Sequence, residues 1–238
     1  WKSARVSLML GVAMHYNKVR EFFEHALGYV RDYIGDDLQE LMSYIAGMIT
    51  HYAIDKNAHP FVFGKAGEDS AVHNKIEFMW DSMIAKETWD IEADHYDFSA
   101  EIKYALLGDG ICDWYCDVAK KIYDTEITPK LMHQAQKHYA KVKKSLSNLN
   151  IGVRLLLKFA TRVMKFDTRS LKYPLERDFS LYSEQEYQSM KGLIAKGVDE
   201  AAQMIAYAIG CFDGEQTAEL PDWFGDVDFS GNASKRTV

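Results

Sequence analysis

Only four of the 238 residues are proline, and this scarcity restricts the fold more than any other feature of the sequence. Pro60, Pro129, Pro174 and Pro221 leave long segments in which nothing interrupts the backbone hydrogen bonding of a helix. Most of these segments carry apolar residues with the 3.6-residue period of an amphipathic helix. We find no convincing strand alternation and no internal repeat of fixed period. The pattern therefore predicts an all-α fold, a multi-helix bundle.

Start and stop signals divide the chain into helices. Gly35 ends the first helix, and Pro60 biases His59 towards an extended backbone, so the second helix should end at or before His59. Ser183 and Glu186 form a capping box that opens the last helix. The predicted helices cover about residues 6–33, 37–57, 71–87, 100–123, 129–146, 152–165 and 184–211. Between them we expect a short loop over residues 61–70, an acidic connection over residues 90–99 and a break over residues 167–181.

The domain organisation follows from the absence of a linker. No stretch rich in glycine, serine and proline separates two cores, which predicts a single domain over residues 1–213. Residues 214–238 are polar and irregular, and we expect this tail to be mobile or draped over the surface.

The first predicted helix has an apolar stripe formed by Leu8, Val12, Val19, Phe23, Ala26 and Val30.

Charge and cysteine usage narrow the classes of partner. The net charge is −7 and no basic stripe is present, which argues against nucleic-acid binding because phosphate neutralisation needs clustered Lys and Arg. No apolar run is long enough to predict a transmembrane segment. The three cysteines form no disulfide framework, which favours a reducing compartment such as the cytoplasm.

Histidines and acids at helical spacing lie between Gly47 and Asp81. His51 and Asp55 are four residues apart, His59 follows four residues later, and a second pair, His73 and Glu77, has the same spacing. Residues at this spacing share one helix face, with Cβ atoms about 5–6 Å apart. They can bind one metal ion together, with zinc–ligand bonds of roughly 2.0–2.2 Å. Two such pairs on neighbouring helices predict a site for two or three ions.

A metal site explains these residues better than chance pairing on a solvated helix face. A single His–acid pair is common on helix surfaces, but two pairs and a third histidine fall in one stretch here. The surrounding residues are apolar, and burying charged groups there costs several kcal/mol each unless they are paired or bind metal. Nitrogen and oxygen ligands without a thiolate suit Zn, Mn or Fe.

Two weaker signals point elsewhere. Asp36, Asp37 and Glu40 spell a D-D-x-x-E motif of the kind that binds magnesium, but the motif follows Gly35 and caps a helix instead of lying within one. Cys112 and Cys116 also have i, i+4 spacing, for which burial within a helix is the simpler interpretation.

The residues just described resemble the zinc-dependent phospholipase C family of bacteria, the type of phospholipase C and alpha-toxin catalytic domains. The run HYAIDKNAHP, followed by HNKIE, is similar to that family's H-x3-D, second histidine and H-x3-E on the next helix. The segment LGVAMHYNKVREFF looks like the family's helix with an earlier metal ligand, here His15. The resemblance covers roughly residues 10–85.

The resemblance implies an all-helical domain of the phospholipase C and nuclease type, with up to three metal ions, usually zinc, between its helices. His15 would join His51 and Asp55 around one part of this cluster, while a second ion would be held by His59, His73 and Glu77. A water activated by the metals would attack a phosphodiester and release a diacylglycerol-like alcohol and a phosphorylated headgroup. Asp55 and Glu77 are the catalytic candidates. The implied substrate is a phosphoester or phospholipid, with transient contact to a membrane surface.

The sequence also departs from the family pattern. The family has a further histidine near its start, followed by an aspartate, and neither has a counterpart here. We therefore expect an N-terminal segment with these ligands to precede Trp1. Secretion is the alternative to a cytoplasmic location if Trp1 is a processed N-terminus. The alternative function is a helical binding or regulatory protein with a partial or structural metal site and no catalysis.

Overall fold

A computed structural model describes residues 2–93, 96, 106–146, 152, 155–156, 159 and 182–233. Over these residues the chain is all-α, as predicted, and an antiparallel bridge between Val227 and Ala233 lies outside any strand. None of the described helices has a stretch that is both long enough and hydrophobic enough to cross a bilayer. The helices are α1 Lys2–Tyr16, α2 Val19–Arg31, α3 Leu38–Ala66, α4 Ser70–Trp89, α5 Asp109–Tyr123, α6 Pro129–Leu146 and α7 Glu184–Phe212.

The prediction of one helix over residues 6–33 is wrong, because the helix is interrupted at residues 17 and 18, between α1 and α2. Lys18 has a left-handed backbone with φ of 53°. Its ammonium group donates to the carbonyl of Ile122 at 3.0 Å, and the Tyr123 hydroxyl donates to the carbonyl of Asn17 at 3.1 Å. These contacts with the end of α5 stabilise a conformation that costs a non-glycine residue energy.

The break also divides the predicted apolar stripe. Leu8 and Val12 are 69% and 51% exposed, whereas Leu10 and Met14 are the buried residues of α1. The α2 part of the stripe is confirmed, with the i, i+3, i+4 spacing of a helix that buries one face. The buried residues of α2 are Val19, Phe22, Phe23, Ala26, Leu27 and Val30.

Helix α3 continues through Pro60, so the predicted end at His59 and the predicted loop over residues 61–70 are wrong. A proline removes one N–H from the helix, and that N–H would otherwise bind the carbonyl four residues earlier, here that of Lys56. The backbone of Gly231 packs against this turn, so closely that a Cβ on Gly231 would lie 2.7 Å from the Lys56 oxygen. Local sequence rules predict a helix end at Pro60, but the helix continues there, and a segment distant in sequence, at Gly231, packs against this turn.

Local capping signals place two other helices correctly. The Asp69 carboxylate accepts hydrogen bonds from the backbone N–H groups of Ala71 and Val72 at 2.9 and 3.2 Å, which fixes the start of α4. The capping box of α7 is confirmed, since the Glu186 carboxylate accepts from the Ser183 N–H at 2.7 Å and the Ser183 hydroxyl accepts from the Glu186 N–H at 3.3 Å. Helix α6 has the predicted bounds.

Helix α5 begins at Asp109, residues 106–108 are not helical, and residues 100–105 of the predicted helix lie outside the described residues. Its first turn is capped from another helix. The carboxylates of Glu40 and Asp37 accept from the N–H groups of Gly108 and Gly110 at 3.1 and 2.7 Å. Two members of the D-D-x-x-E motif therefore satisfy a helix N-terminus, where backbone N–H groups need acceptors.

Two predicted elements lie largely outside the described residues. Of the predicted helix over 152–165, only positions 152, 155–156 and 159 are described, and they are helical. The predicted break over 167–181 is not among the described residues. In the predicted acidic connection over 90–99, residues 90–93 are not helical.

The chain forms two compact units. The first contains residues 1–60, 106–135 and 191–238, and its core includes the fully buried rings of Phe22, Phe23 and Trp114. Burying such side chains contributes about 1.5–3 kcal/mol each. The second unit contains residues 61–105 and 136–190. In that unit the Trp80 ring packs on Phe61 and Tyr182, with centroid distances of 5.4 and 6.0 Å. The single domain over residues 1–213 stays a prediction.

The C-terminal segment, residues 214–233, is irregular as predicted but is anchored in the core of the first unit. Phe224 and Phe229 are buried, and Phe224 packs on Phe23 with ring centroids 5.2 Å apart. The Tyr52 hydroxyl donates to the carbonyl of Val227 at 2.9 Å. The segment is therefore part of the folded unit, which contradicts the expectation of a mobile or merely draped tail.

Candidate metal centre

His15, His51 and Asp55 converge in the first unit and form what we term the His15 cluster. Each residue offers one donor atom, and these atoms all lie within 4.8 Å of one another. The rings of His15 and His51 have centroids 5.2 Å apart, at an interplanar angle of 66°. His51 Nε2 lies 2.9 Å from Asp55 Oδ2. The structure thus brings together the three residues that the family resemblance grouped around one part of a metal cluster.

Two helices position the cluster. His51 and Asp55 lie on successive turns of α3, so their proximity follows from helix geometry. His15 lies in the last turn of α1, just before the left-handed residue Lys18. The interruption between α1 and α2, which the sequence did not predict, is therefore next to the helix end that presents His15.

Hydrogen bonding defines the tautomer of neutral His15. Its Nδ1 lies 2.7 Å from the carbonyl oxygen of Gly11. A carbonyl only accepts hydrogen bonds, so Nδ1 carries the proton and the lone pair is on Nε2. Burial lowers the pKa of His15 from its ordinary value, which favours the neutral ring. Neutral imidazole is the form that binds metal ions.

His59 lies beside the cluster, one turn beyond Asp55 on α3. Its Nδ1 is 3.9 Å from Asp55 Oδ2 and 2.6 Å from the carbonyl oxygen of Phe229. The carbonyl again requires a proton on Nδ1, so a neutral His59 holds its lone pair on Nε2. The side chain is 13% exposed. Two histidines of the first unit therefore present the same ring nitrogen as a metal donor.

His73 and Glu77 form the second pair, on one face of α4 in the second unit. His73 Nε2 lies 2.9 Å from Glu77 Oε1, and the ring of Phe63 packs on His73 with centroids 4.8 Å apart. The predicted pairing of these two residues on one helix is confirmed. Because His59 belongs to the first unit, the binding of one ion by His59 together with this pair stays a prediction.

The surroundings of Cys112 indicate a structural role for this residue. Cys112 is buried, and burial raises the pKa of its thiol to about 11. His133 Nε2 lies 3.4 Å from the Cys112 sulfur and donates to the Leu107 carbonyl at 2.9 Å. A thiol with a raised pKa is a poor nucleophile and a poor metal ligand at neutral pH, because both roles need the thiolate. The interpretation of Cys112 as a buried helix cysteine is therefore supported.

Phe229 is the residue at this site that sequence reasoning missed. Its N–H donates to the carbonyl of His15 at 3.0 Å, and its own carbonyl accepts from His59. Its ring packs on the rings of His15 and His51, with centroid distances of 4.4 and 5.4 Å. No sequence signal identifies such a residue, because the polar groups that it uses belong to the main chain.

No family model matches this sequence, and neither a curated protein nor a solved structure matches it.

Proposed function

We propose that this protein is a metal-dependent phosphodiester hydrolase, with zinc as its metal, that acts on a phospholipid-like phosphoester in the manner of phospholipase C. The observation that carries the proposal is the convergence of His15, His51 and Asp55, which are distant in sequence and belong to two helices.

The donor set fits zinc. Two imidazole nitrogens and one carboxylate oxygen are ligands that zinc takes in catalytic sites, at bond lengths of about 2.0–2.2 Å. Tetrahedral ligands at these bond lengths are about 3.4 Å apart. The donor atoms lie within 4.8 Å of one another, so modest side-chain rotation brings them into range. His15 has its lone pair on Nε2, since Nδ1 donates to the Gly11 carbonyl.

Exposure favours catalysis over a purely structural site. Structural zinc sites are closed by four protein ligands, whereas catalytic sites keep three protein ligands and one open position. The side chain of His51 is 47% exposed and that of Asp55 is 20% exposed, so solvent reaches the cluster from the His51 side. A substrate phosphate can approach along the same side.

The residues of the chain have distinct roles in this proposal. A bound zinc ion supplies Lewis-acid polarisation of a phosphoryl oxygen and activation of a water molecule. The Asp55 carboxylate lies 2.9 Å from His51 Nε2 and 3.9 Å from His59 Nδ1, so it compensates positive charge at the centre. Glu77, which is 35% exposed and accepts from His73 on the same helix, is the other catalytic candidate.

The overall reaction is hydrolysis. Water adds to phosphorus, the bond from phosphorus to the alcohol oxygen breaks, and the alcohol leaves with a proton while the phosphate stays on the headgroup. We place the protein in a reducing compartment, a location supported by its three free cysteines. Transient contact with a membrane surface would present the lipid substrate.

Turnover of a chromogenic phosphocholine ester tests the proposal. Protein stripped with chelator should be inactive and should regain activity with zinc. His51→Ala, Asp55→Asn, His73→Ala and Glu77→Ala should each lose activity and keep the helical circular dichroism spectrum. His138→Ala is the matched control, because His138 is exposed on α6.

Two outcomes contradict the proposal. Wild-type activity in all four variants would show that the catalytic assignment is wrong. A wild-type protein that binds zinc but hydrolyses no phosphoester would favour the binding or regulatory alternative.

A further inference from the structure

We infer that residues 228–232, the Asp228 loop, position the histidines of the metal centre and hold His59 in the tautomer whose Nε2 can bind metal. The metal part of this inference rests on the proposed function, whereas the tautomer of His59 is a property of the metal-free protein. The loop lies in the first unit, as do His15, His51, Asp55 and His59.

The main chain of Phe229 connects two helices that carry candidate ligands. Its N–H donates to the carbonyl of His15, in the last turn of α1, at 3.0 Å. Its carbonyl accepts from Nδ1 of His59, on α3, at 2.6 Å. One peptide segment therefore binds the backbone of one histidine and the ring of another, and it fixes both with respect to the same point.

The ring of Phe229 packs on two histidine rings of the site. It lies 4.4 Å from the His15 ring and 5.4 Å from the His51 ring, measured between centroids, and packs on Tyr52 at 5.0 Å. The side chain is buried. Close packing in a buried environment restricts the rotamers of the histidine rings that it touches.

The Asp228 loop is held in one conformation by its own hydrogen bonds. The buried carboxylate of Asp228 accepts from the N–H groups of Ser230 and Asn232 at 2.8 and 3.0 Å. The Asp228 N–H donates to the Asn232 carbonyl at 2.7 Å. The side chain of Asp228 thus replaces the partners that a regular element would give these backbone groups.

The loop is also fixed from outside, against the turn of α3 that contains His59. Gly231 has φ of 76°, and a Cβ at this position would lie 2.7 Å from the Lys56 oxygen and 2.8 Å from Pro60 Cγ. Only glycine permits both this backbone conformation and this close approach. The position of the Phe229 carbonyl relative to His59 is therefore set by Asp228 within the loop and by Gly231 at its contact with α3.

Such contacts matter for a metal centre. A ligating histidine that donates its other ring N–H to a carbonyl has a fixed tautomer and orientation, and loss of such a partner typically costs about 10–100-fold in metal affinity. The Asp228 loop gives His59 this partner and binds the backbone of His15. It therefore acts through the ligands and not on the substrate.

Four variants test the inference. Asp228→Ala removes the acceptor of two backbone N–H groups, while Asp228→Asn keeps an amide oxygen that can accept them. Gly231→Ala disturbs the same loop without touching Asp228. Asp222→Ala, an exposed position in the same C-terminal segment, is the control.

The first readout is the tautomer of His59 in metal-free protein, measured by nitrogen-15 NMR of the histidine rings with His59→Gln for assignment. The wild type, Asp222→Ala and Asp228→Asn should show a proton on Nδ1 and a lone pair on Nε2. Asp228→Ala and Gly231→Ala should show a mixture of tautomers. The second readout is zinc affinity by chelator competition, which should fall about 10–100-fold in these two variants alone.

The outcomes separate this inference from the proposed function. If Asp228→Ala and Gly231→Ala keep both the wild-type tautomer and the wild-type zinc affinity, the positioning role is wrong whether or not the protein is a hydrolase. If the wild type has no activity while Asp228→Ala and Gly231→Ala show the expected mixture of tautomers and loss of zinc affinity, the hydrolase proposal fails and the positioning role stands. If His59 of the wild type is itself a mixture of the two tautomers, the inference is overturned directly.

Discussion

Zinc should stabilise the wild-type protein against heat and should stabilise His51→Ala much less. A ligand that binds only the folded state, present at 100 times its Kd, adds about 2.7 kcal/mol to the free energy of unfolding. For a chain of this size, 1 kcal/mol shifts Tm by about 2–4 °C. Zinc should therefore raise the Tm of the wild type by about 5–11 °C.

The exposure of His51 makes this variant informative. Its side chain is 47% exposed, so replacement by alanine should change the stability of metal-free protein by no more than about 0.5 kcal/mol, as at other surface positions. Loss of one of three ligands that weakens zinc binding about 100-fold would leave a gain of only about 0.4 kcal/mol at the same zinc concentration. The zinc-dependent Tm shift should thus fall to about 1–2 °C.

The assay is differential scanning calorimetry of chelator-stripped protein, with and without added zinc. His138→Ala serves as the control, since His138 is also an exposed helix residue but lies on α6. A Tm shift in His51→Ala equal to that of the wild type would refute the assignment of His51 as a ligand. A loss of several degrees in the metal-free variant would instead show that His51 has a structural role.

Two further predictions concern the fold. Gly197→Ala should destabilise the protein by about 1–3 kcal/mol in urea unfolding, because its Cβ would lie 2.8 Å from the backbone Cα of Ile54, whereas Gly192→Ala on the same helix meets open space and should stabilise it by up to about 1 kcal/mol. Equal midpoints for the two variants would contradict the tight crossing of α3 and α7. The hydrogen bond from the Tyr33 hydroxyl lowers the pKa of Asp37 below its ordinary 3.8, so the stability that Asp37 contributes is present above about pH 4 and lost as pH falls through the lowered pKa. Asp37→Asn should lose less stability than the wild type between pH 5 and pH 2, and identical losses on acidification would contradict this role.

Local chemistry decided the parts of the fold that the sequence predicted well. Helix α6 starts where a threonine and a proline provide the first turn, and the Ser183–Glu186 capping box opens α7, because the groups that satisfy these helix ends lie within a few residues of them. The His51–Asp55 pair was equally accessible, since i, i+4 spacing alone brings two side chains together.

Contacts between residues far apart in sequence decided the parts of the fold that the sequence did not predict. Lys18 adopts a left-handed backbone while its ammonium group binds the carbonyl of Ile122, and nothing near Lys18 in sequence indicates that partner. Helix α3 continues through Pro60 with the backbone of Gly231 packed against the affected turn. Propensity rules treat each segment alone, so they end a helix wherever the stabilising contact comes from elsewhere in the chain.

The same distinction applies within the candidate site. Ligand types are visible in a sequence because only a few side chains bind metal, but the group that orients His59 is a carbonyl, which every residue possesses. The partner lies 170 residues away from His59. Substitution of Phe229 leaves that carbonyl in place, so the side chain at 229 should matter for the packing of His15 and His51 and much less for the tautomer of His59. The residues that determine this tautomer should be Asp228 and Gly231, which fix the path of the backbone between them.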